Sequence, residues 1–505
     1  MPIRHLIFAL FLPVTAWAQS PLSEIEWLDE PSPVRLPGTV LLEPPVTQTG
    51  LGPEIDVSPL EALPPLLGLV SPSVTGLPID LWRGSAPARL EALISTVSVR
   101  QNPAMQTLLY TLLLSETRAP VGSGDQLLLA RLDRLMALGA TDPAQALLQL
   151  AGPTDTQDRF QRWFDATLLT GDEDRACAAL TAAPHLTLDY AAQIFCKARR
   201  GDWQSALLTL EAAHALDLLP ADELALLDRF LSPDIYDGAP PLPQASRPDP
   251  LTFRLFETIG ERLPTASLPR AFATADLRDI AGWKAQLEAA ERLTRVGALT
   301  PNHLLGLYTE RRAAASGGVW DRVRAVQQFE TALQTGSEAA ISKTLTPVWE
   351  AMKAVNLEVP FADLFADQLG PHSFNDAEIA ELVWKIRLLS PAYEDAARTP
   401  LVNTRENAFL AALAMGEPNT ARPSSPLARA IADGFNPQTP IPQELTEMIL
   451  DGRLGEAILE SMTLFANGAK GNHGDLTSAF ATFRHVGLED MSRRAALQLL
   501  LLERD

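Results

Sequence analysis

The sequence predicts an all-α protein: an α-solenoid of helical hairpins behind a disordered, Pro-rich N-terminal arm. Three observations carry that reading. Long stretches place apolar residues at i, i+3, i+4 and i+7, the spacing of one helix face. Few runs show the period-two Val/Ile/Thr alternation that strands need. Helical units of similar pattern recur 30 residues apart within 141–210.

The first twenty residues read as an address. Arg4 and His5 precede a nine-residue apolar run, Leu6–Val14, and Ala16-Trp17-Ala18 fits a small-x-small cleavage pattern. The run is too short to span a bilayer, which takes about 20 apolar residues, and Pro13 interrupts it. A secretory signal cleaved after Ala18 is therefore expected, without a twin-Arg pair and without a following Cys to carry lipid. No later stretch is long and apolar enough for a span. The mature chain is expected to be periplasmic or secreted, and not membrane-integral.

Residues 19–82 form the expected arm, with twelve prolines between Pro21 and Pro78. Proline lacks an N–H and disfavours helix in the residue before it. Short apolar clusters interrupt this segment, notably around Trp27 and Leu28 and around Leu81 and Trp82. They read as candidate partner-docking motifs, or as straps on the chain's own body.

Helical texture follows. Clear helical stretches are 126–138, in which Arg131, Asp133 and Arg134 interleave the apolar face, then 283–296, 319–333 and 377–389. The repeat lies at 141–150, 171–180 and 201–210, each unit with Asp at its second place, Ala at its sixth and Leu at its tenth. Asp there suits a helix start, both as a cap and as a negative charge at the positive end of the dipole. The small Ala permits close helix approach and Leu fills the groove. Second helices are expected around 160–169, 188–198 and 222–230, with a distant echo at 451–459. Pro-rich breaks at 232–250 and 417–442 divide helical lobes at 83–231 and 251–416 from a C-terminal segment at 443–505.

These Gly-Asp-x₃-Ala-x₃-Leu units resemble the helical-hairpin repeats of the tetratricopeptide and Sel1-like superfamily over about 90 residues. The period is 30 rather than 34, and the Trp-Leu-Gly-Tyr signature is absent. The resemblance implies a stacked superhelix that binds protein. A looser similarity is to exported bacterial proteins sometimes labelled antifreeze glycopeptide polyproteins. The Ala-Ala-Thr arrays that label implies are missing, so it carries no functional expectation.

Cys177 and Cys196 fall on successive helices either side of a Pro184-His185 turn. Counting outward from the turn sets them at similar heights, and export to an oxidising compartment favours a disulfide. The alternative is two buried thiols on faces that point apart.

Composition excludes several functions. With 41 Lys+Arg against 62 Asp+Glu, net −21, the chain is a poor binder of nucleic acid. The same charge favours a basic or neutral partner. The seven His form no His-Glu-x-x-His motif, and two Cys make no zinc site, so neither metal nor cofactor is expected. No Gly-x-Ser-x-Gly elbow and no phosphate loop occurs.

Lytic transglycosylases join an Ala/Leu-rich superhelix to a lysozyme-like domain with a catalytic Glu-Ser pair. Glu460-Ser461-Met462 followed by Gly468-Ala469-Lys470-Gly471 resembles that motif. The spacing is short, Asn472-His473-Gly474 replaces the apolar helix start, and 45 residues remain after Glu460. A solvated helix Glu is the better reading. Gly317-Gly318 ahead of Trp320 reads as a hairpin turn or as space beside an indole for a ligand. The expected function is a non-enzymatic scaffold or adaptor for a cell-envelope protein. A cell-wall or carbohydrate-active enzyme with an unrecognised site is the alternative.

Overall fold

The structure, a computed structural model, describes residues 64–401 and 404–502. Trp27, Leu28 and the signal segment lie outside the described residues. Twenty-five α-helices and one two-stranded ladder make up the described chain, which establishes the all-α class.

The expected helices are present. Gln126–Leu138, Trp283–Thr294, Val319–Thr335 and Ala377–Leu388 match their predicted spans within two residues. The three hairpins are Thr141–Ala151 with Gln157–Thr170, Glu173–Ala182 with Tyr190–Arg199, and Trp203–Ala215 with Ala221–Leu231. Ala176, Leu180, Ala206 and Leu210 are buried as the repeat requires.

The first unit departs from the pattern. Leu150 is exposed, and Ala144, Leu147 and Leu148 fill the core in its stead. Its helix begins at Thr141, so Asp142 sits inside the first turn rather than at the cap. Asp172 makes no cap hydrogen bond and accepts from the Gln145 amide at 3.4 Å. Asp202 alone of the three caps as expected, accepting the Ser205 N–H at 3.2 Å.

The stack closes on itself. Helices Pro87–Thr96 and Pro103–Leu114 pack against Leu454–Ala469 and Glu489–Leu501. Asn102 caps its own helix through Met105 N–H and donates its amide to the Ala495 carbonyl at 3.0 Å. The Gln498 side chain accepts the Ala104 N–H at 2.7 Å. One apolar core cluster consequently joins the two ends of the described chain, and a second is built mainly by the helices from 283 to 389. The expected lobes all fall within one compact unit, Ala62–Asp505.

Residues 64–82, read from the sequence as the end of a flexible arm, are built into this body. Leu66–Leu67 pairs antiparallel with Thr117–Arg118. Leu81 and Trp82 are both 0% exposed, which corrects their reading as partner-docking residues. Trp82 donates its indole N–H to Thr117 Oγ1 at 3.1 Å and packs against Gly455. A Cβ at 455 would come within 2.3 Å of that ring, so only glycine permits the approach. The Gly455 N–H donates to the Leu81 carbonyl at 3.0 Å.

Arg131, one of the charged residues interleaved along the Gln126–Leu138 helix, is only 2% exposed. Its guanidinium donates to the carbonyls of Leu113, Leu67 and Ser115 at 2.6, 3.1 and 3.0 Å. Three carbonyls at a helix end and a short ladder are thereby satisfied by one side chain. Burial pushes its pKa down to about 10, still well above neutral pH.

Cys177 and Cys196 form a disulfide, with Cα atoms 4.8 Å apart and both residues buried. It ties Glu173–Ala182 to Tyr190–Arg199 across the Pro184–Leu186 turn. Thiol titration in denaturant without reductant should find no free thiol. Cys177→Ser/Cys196→Ser should lower stability by about 3 kcal/mol in urea unfolding, the loop-closure value for such a loop. Trp82→Ala removes a fully buried indole and should cost about 3–5 kcal/mol in the same assay.

Candidate functional site

Hydrophobic residues left at the surface concentrate between 188 and 218. Leu188 is 80% exposed and Leu208 67%, and Trp203, Leu207, Leu216 and Leu218 are also exposed. The helix Trp203–Ala215 explains how this happens. Its buried stripe is Ala206, Leu210 and Ala213. At about 100° per residue, Leu208 points away from that stripe, and Trp203 and Leu207 both lie to one side of it. The Lys197 ammonium donates to Thr209 Oγ1 at 2.7 Å, which sets the register of this helix against Tyr190–Arg199. The Trp203 ring leans on Phe230 with centroids 5.9 Å apart. The disulfide braces the adjoining hairpin, so this apolar face sits on a covalently fixed base.

Beside it, a cavity of about 720 Å³ lies between Ala221–Leu231, the 242–249 segment and the start of Pro250–Thr258. Asp222, Glu223, Asp249 and Arg247 line it. Asp249 caps the Pro250–Thr258 helix by accepting the Thr252 N–H at 2.6 Å. Burial first, then the neighbouring Asp189, Asp249 and Asp222, raise the Glu223 carboxyl to about 7. Asp165 is likewise raised to about 7, chiefly by burial, with Asp249 and Asp189 adding to it. The donated Gln161 amide and Arg162 oppose that rise. Burial also raises Asp189, against hydrogen bonds from the Ala192 and Ala191 N–H groups. Glu223, on the cavity wall, therefore has a pKa suited to proton transfer near neutral pH. Among the described residues no three His, Cys, Asp or Glu side chains gather into a metal-holding group.

The remaining sequence candidates lie elsewhere. Trp320 begins the Val319–Thr335 helix and packs on Trp283 with centroids 5.1 Å apart. The preceding turn has positive φ at Gly317 and Gly318 and is held by Asp321, which accepts the Gly317 N–H at 3.1 Å. Glu460 is not a solvated helix residue: it is half-buried and paired with Arg89, across the seam between the two ends of the chain. No described helix is long and apolar enough to cross a membrane.

The 188–218 face was missed in the sequence because the repeat pattern accounts for one side of the Trp203–Ala215 helix and says nothing of the other. The available signal was that Trp203, Leu207 and Leu208 fall outside the Ala206/Leu210 stripe. No family model, curated protein or solved structure matches the chain.

The carboxyl cluster makes a pH prediction. A carboxyl whose pKa is raised by folding stabilises fully below its unfolded pKa, and that stability is lost as pH rises through the folded value of about 7. Asp165→Asn removes the ionisation and keeps an acceptor for Gln161. It should therefore raise unfolding free energy more at pH 8 than at pH 5, by roughly 1–3 kcal/mol. An equal effect at both pH values would sink the assignment.

Proposed function

We propose that the chain is an exported, non-enzymatic scaffold or adaptor that binds another protein of the cell envelope, its hairpins being tetratricopeptide/Sel1-like in kind. The apolar 188–218 face is the observation that carries this reading. Exposed Leu and Trp side chains concentrated in one stretch of chain, with Trp203, Leu207 and Leu208 on a single helix, are a protein-docking feature, because a solvated monomer gains nothing from them. The net charge of −21 and the adjacent carboxylates favour a partner whose apolar anchors are flanked by Lys or Arg. The disulfide suits an oxidising compartment, in keeping with a signal peptide cleaved after Ala18. An assembly factor for an envelope machine is the same reading with its client specified.

A second reading is a cell-wall or carbohydrate-active enzyme. Glu223, raised to about 7 by burial and lining a cavity of about 720 Å³ with Asp222 and Asp249, favours it, since such hydrolysis requires one protonated and one ionised carboxyl.

Affinity capture from envelope extracts should enrich a partner with the wild-type chain and lose it, at least tenfold, with Leu208→Glu/Leu216→Glu. Identical partner sets from both forms would overturn the adaptor reading at this face. Release of soluble fragments from purified cell wall by the wild-type chain, abolished by Glu223→Gln, would replace it with the enzyme.

A further inference from the structure

A cavity of about 290 Å³ opens between residues 95–100, Pro103–Leu114, Gln126–Leu138 and the chain at Arg270, remote in sequence from the 188–218 face. In a chain of net charge −21, its wall contains no carboxylate. Arg100, Arg134, Arg270 and Gln106 line it, with Ser95 and Ser98.

The charges that reach these arginines are of their own sign. Arg134 feels Arg270 and Arg100, and Arg270 feels Arg292, Arg100 and Arg295. Tyr110, the other ionisable group acting on both, is no counterion. Burial raises its pKa, so it stays a neutral phenol. Burial and mutual repulsion lower the pKa of both Arg134 and Arg270, the mark of cations held together without neutralisation.

The groups are also held in place. Arg134 is anchored by the carbonyls of Ser95 and Val97, to which its terminal nitrogens donate. The Arg270 stem packs over Gly139. Gln106 is 3% exposed, and its Nε2 is a buried donor with no acceptor. An unpaired buried donor in a wall of guanidinium groups calls for an acceptor that carries negative charge.

We propose that this cavity binds a phosphoryl oxyanion, with Arg134 and Arg270 facing it from the wall, Arg100 at the rim and the Gln106 amide donating to it. A phosphoryl dianion offsets three guanidinium groups better than a single carboxylate does, and their planar N–H forks match phosphoryl oxygens. The volume admits a phosphoryl group attached to a sugar-sized body as well as the free ion.

The test is calorimetric titration of the full mature chain at constant ionic strength in chloride, first with inorganic phosphate and then with glucose 1-phosphate. Saturable one-site binding is expected, weakened at least tenfold by Arg100→Gln and by Gln106→Leu, each checked for native helicity. Tighter binding of phosphate would assign the free anion, and tighter binding of glucose 1-phosphate the phosphoryl end of a larger ligand. Arg100 is exposed, so Arg100→Gln retains the fold even if Arg270→Gln does not. Absence of saturable binding by both probes, or affinity unchanged in Arg100→Gln and Gln106→Leu, would overturn the proposal.

Discussion

Everything in this fold depends on the seam at which its two ends meet. An open stack of helical hairpins leaves an apolar face uncovered at each end, and such arrays require polar caps. Here each end covers the other. Trp82 occupies the space that a side chain at Gly455 would fill, and the Leu81 carbonyl is taken by the Gly455 N–H. Asn102 and Gln498 add polar contacts between the next pair of helices, the first donating to the Ala495 carbonyl and the second accepting the Ala104 N–H. The contact is both apolar and directional, so it sets the register of the N-terminal helices on the C-terminal ones. Closure also buries the Glu456 carboxylate, which is matched by Arg453 at the same helix start.

Buried charges do similar work elsewhere in the stack. Glu173 is fully buried and receives Arg254 at 2.8 Å from 81 residues away. Glu291 accepts both Arg322 and the Tyr308 hydroxyl, at 2.6 and 2.8 Å. Buried pairs of this kind are weak evidence for added stability, but an unpaired member would be costly. Their positions therefore discriminate one helix register from the next. Against that background of matched charges, the cluster of Arg100, Arg134 and Arg270 stands apart, since cations act on cations there. The acidic cluster around Glu223 is its opposite in sign, on a different part of the stack.

The candidate sites were legible to different degrees. The Cys177–Cys196 pairing could be counted from the sequence because two helices and a short turn leave few arrangements, and only 19 residues separate the cysteines. The apolar surplus of the Trp203–Ala215 helix was visible as composition, but which side would lack a neighbour was not. The Glu223 and Arg134 clusters were not legible at all. Each draws its members from several helices, and burial, rather than residue type, moves their titration.

The sequence by itself determined the helical class, the hairpin spacing between 141 and 231, and the disulfide. These rest on local periodicity, turn residues and a short loop, all of which act within about one hairpin. Tertiary structure decided which residues those helices bury. Trp82 sits in a Pro-rich context that suggests an extended tail, and Arg131 occupies a polar position on its helical face. Both are core residues because their partners arrive from elsewhere: a glycine slot in a C-terminal helix for one, and carbonyls from a strand and a helix end for the other. Asn102 meets its acceptor across 393 residues of chain. Local pattern carries no information about an approach of that separation; it is set by how the whole stack curves until its ends can bury each other.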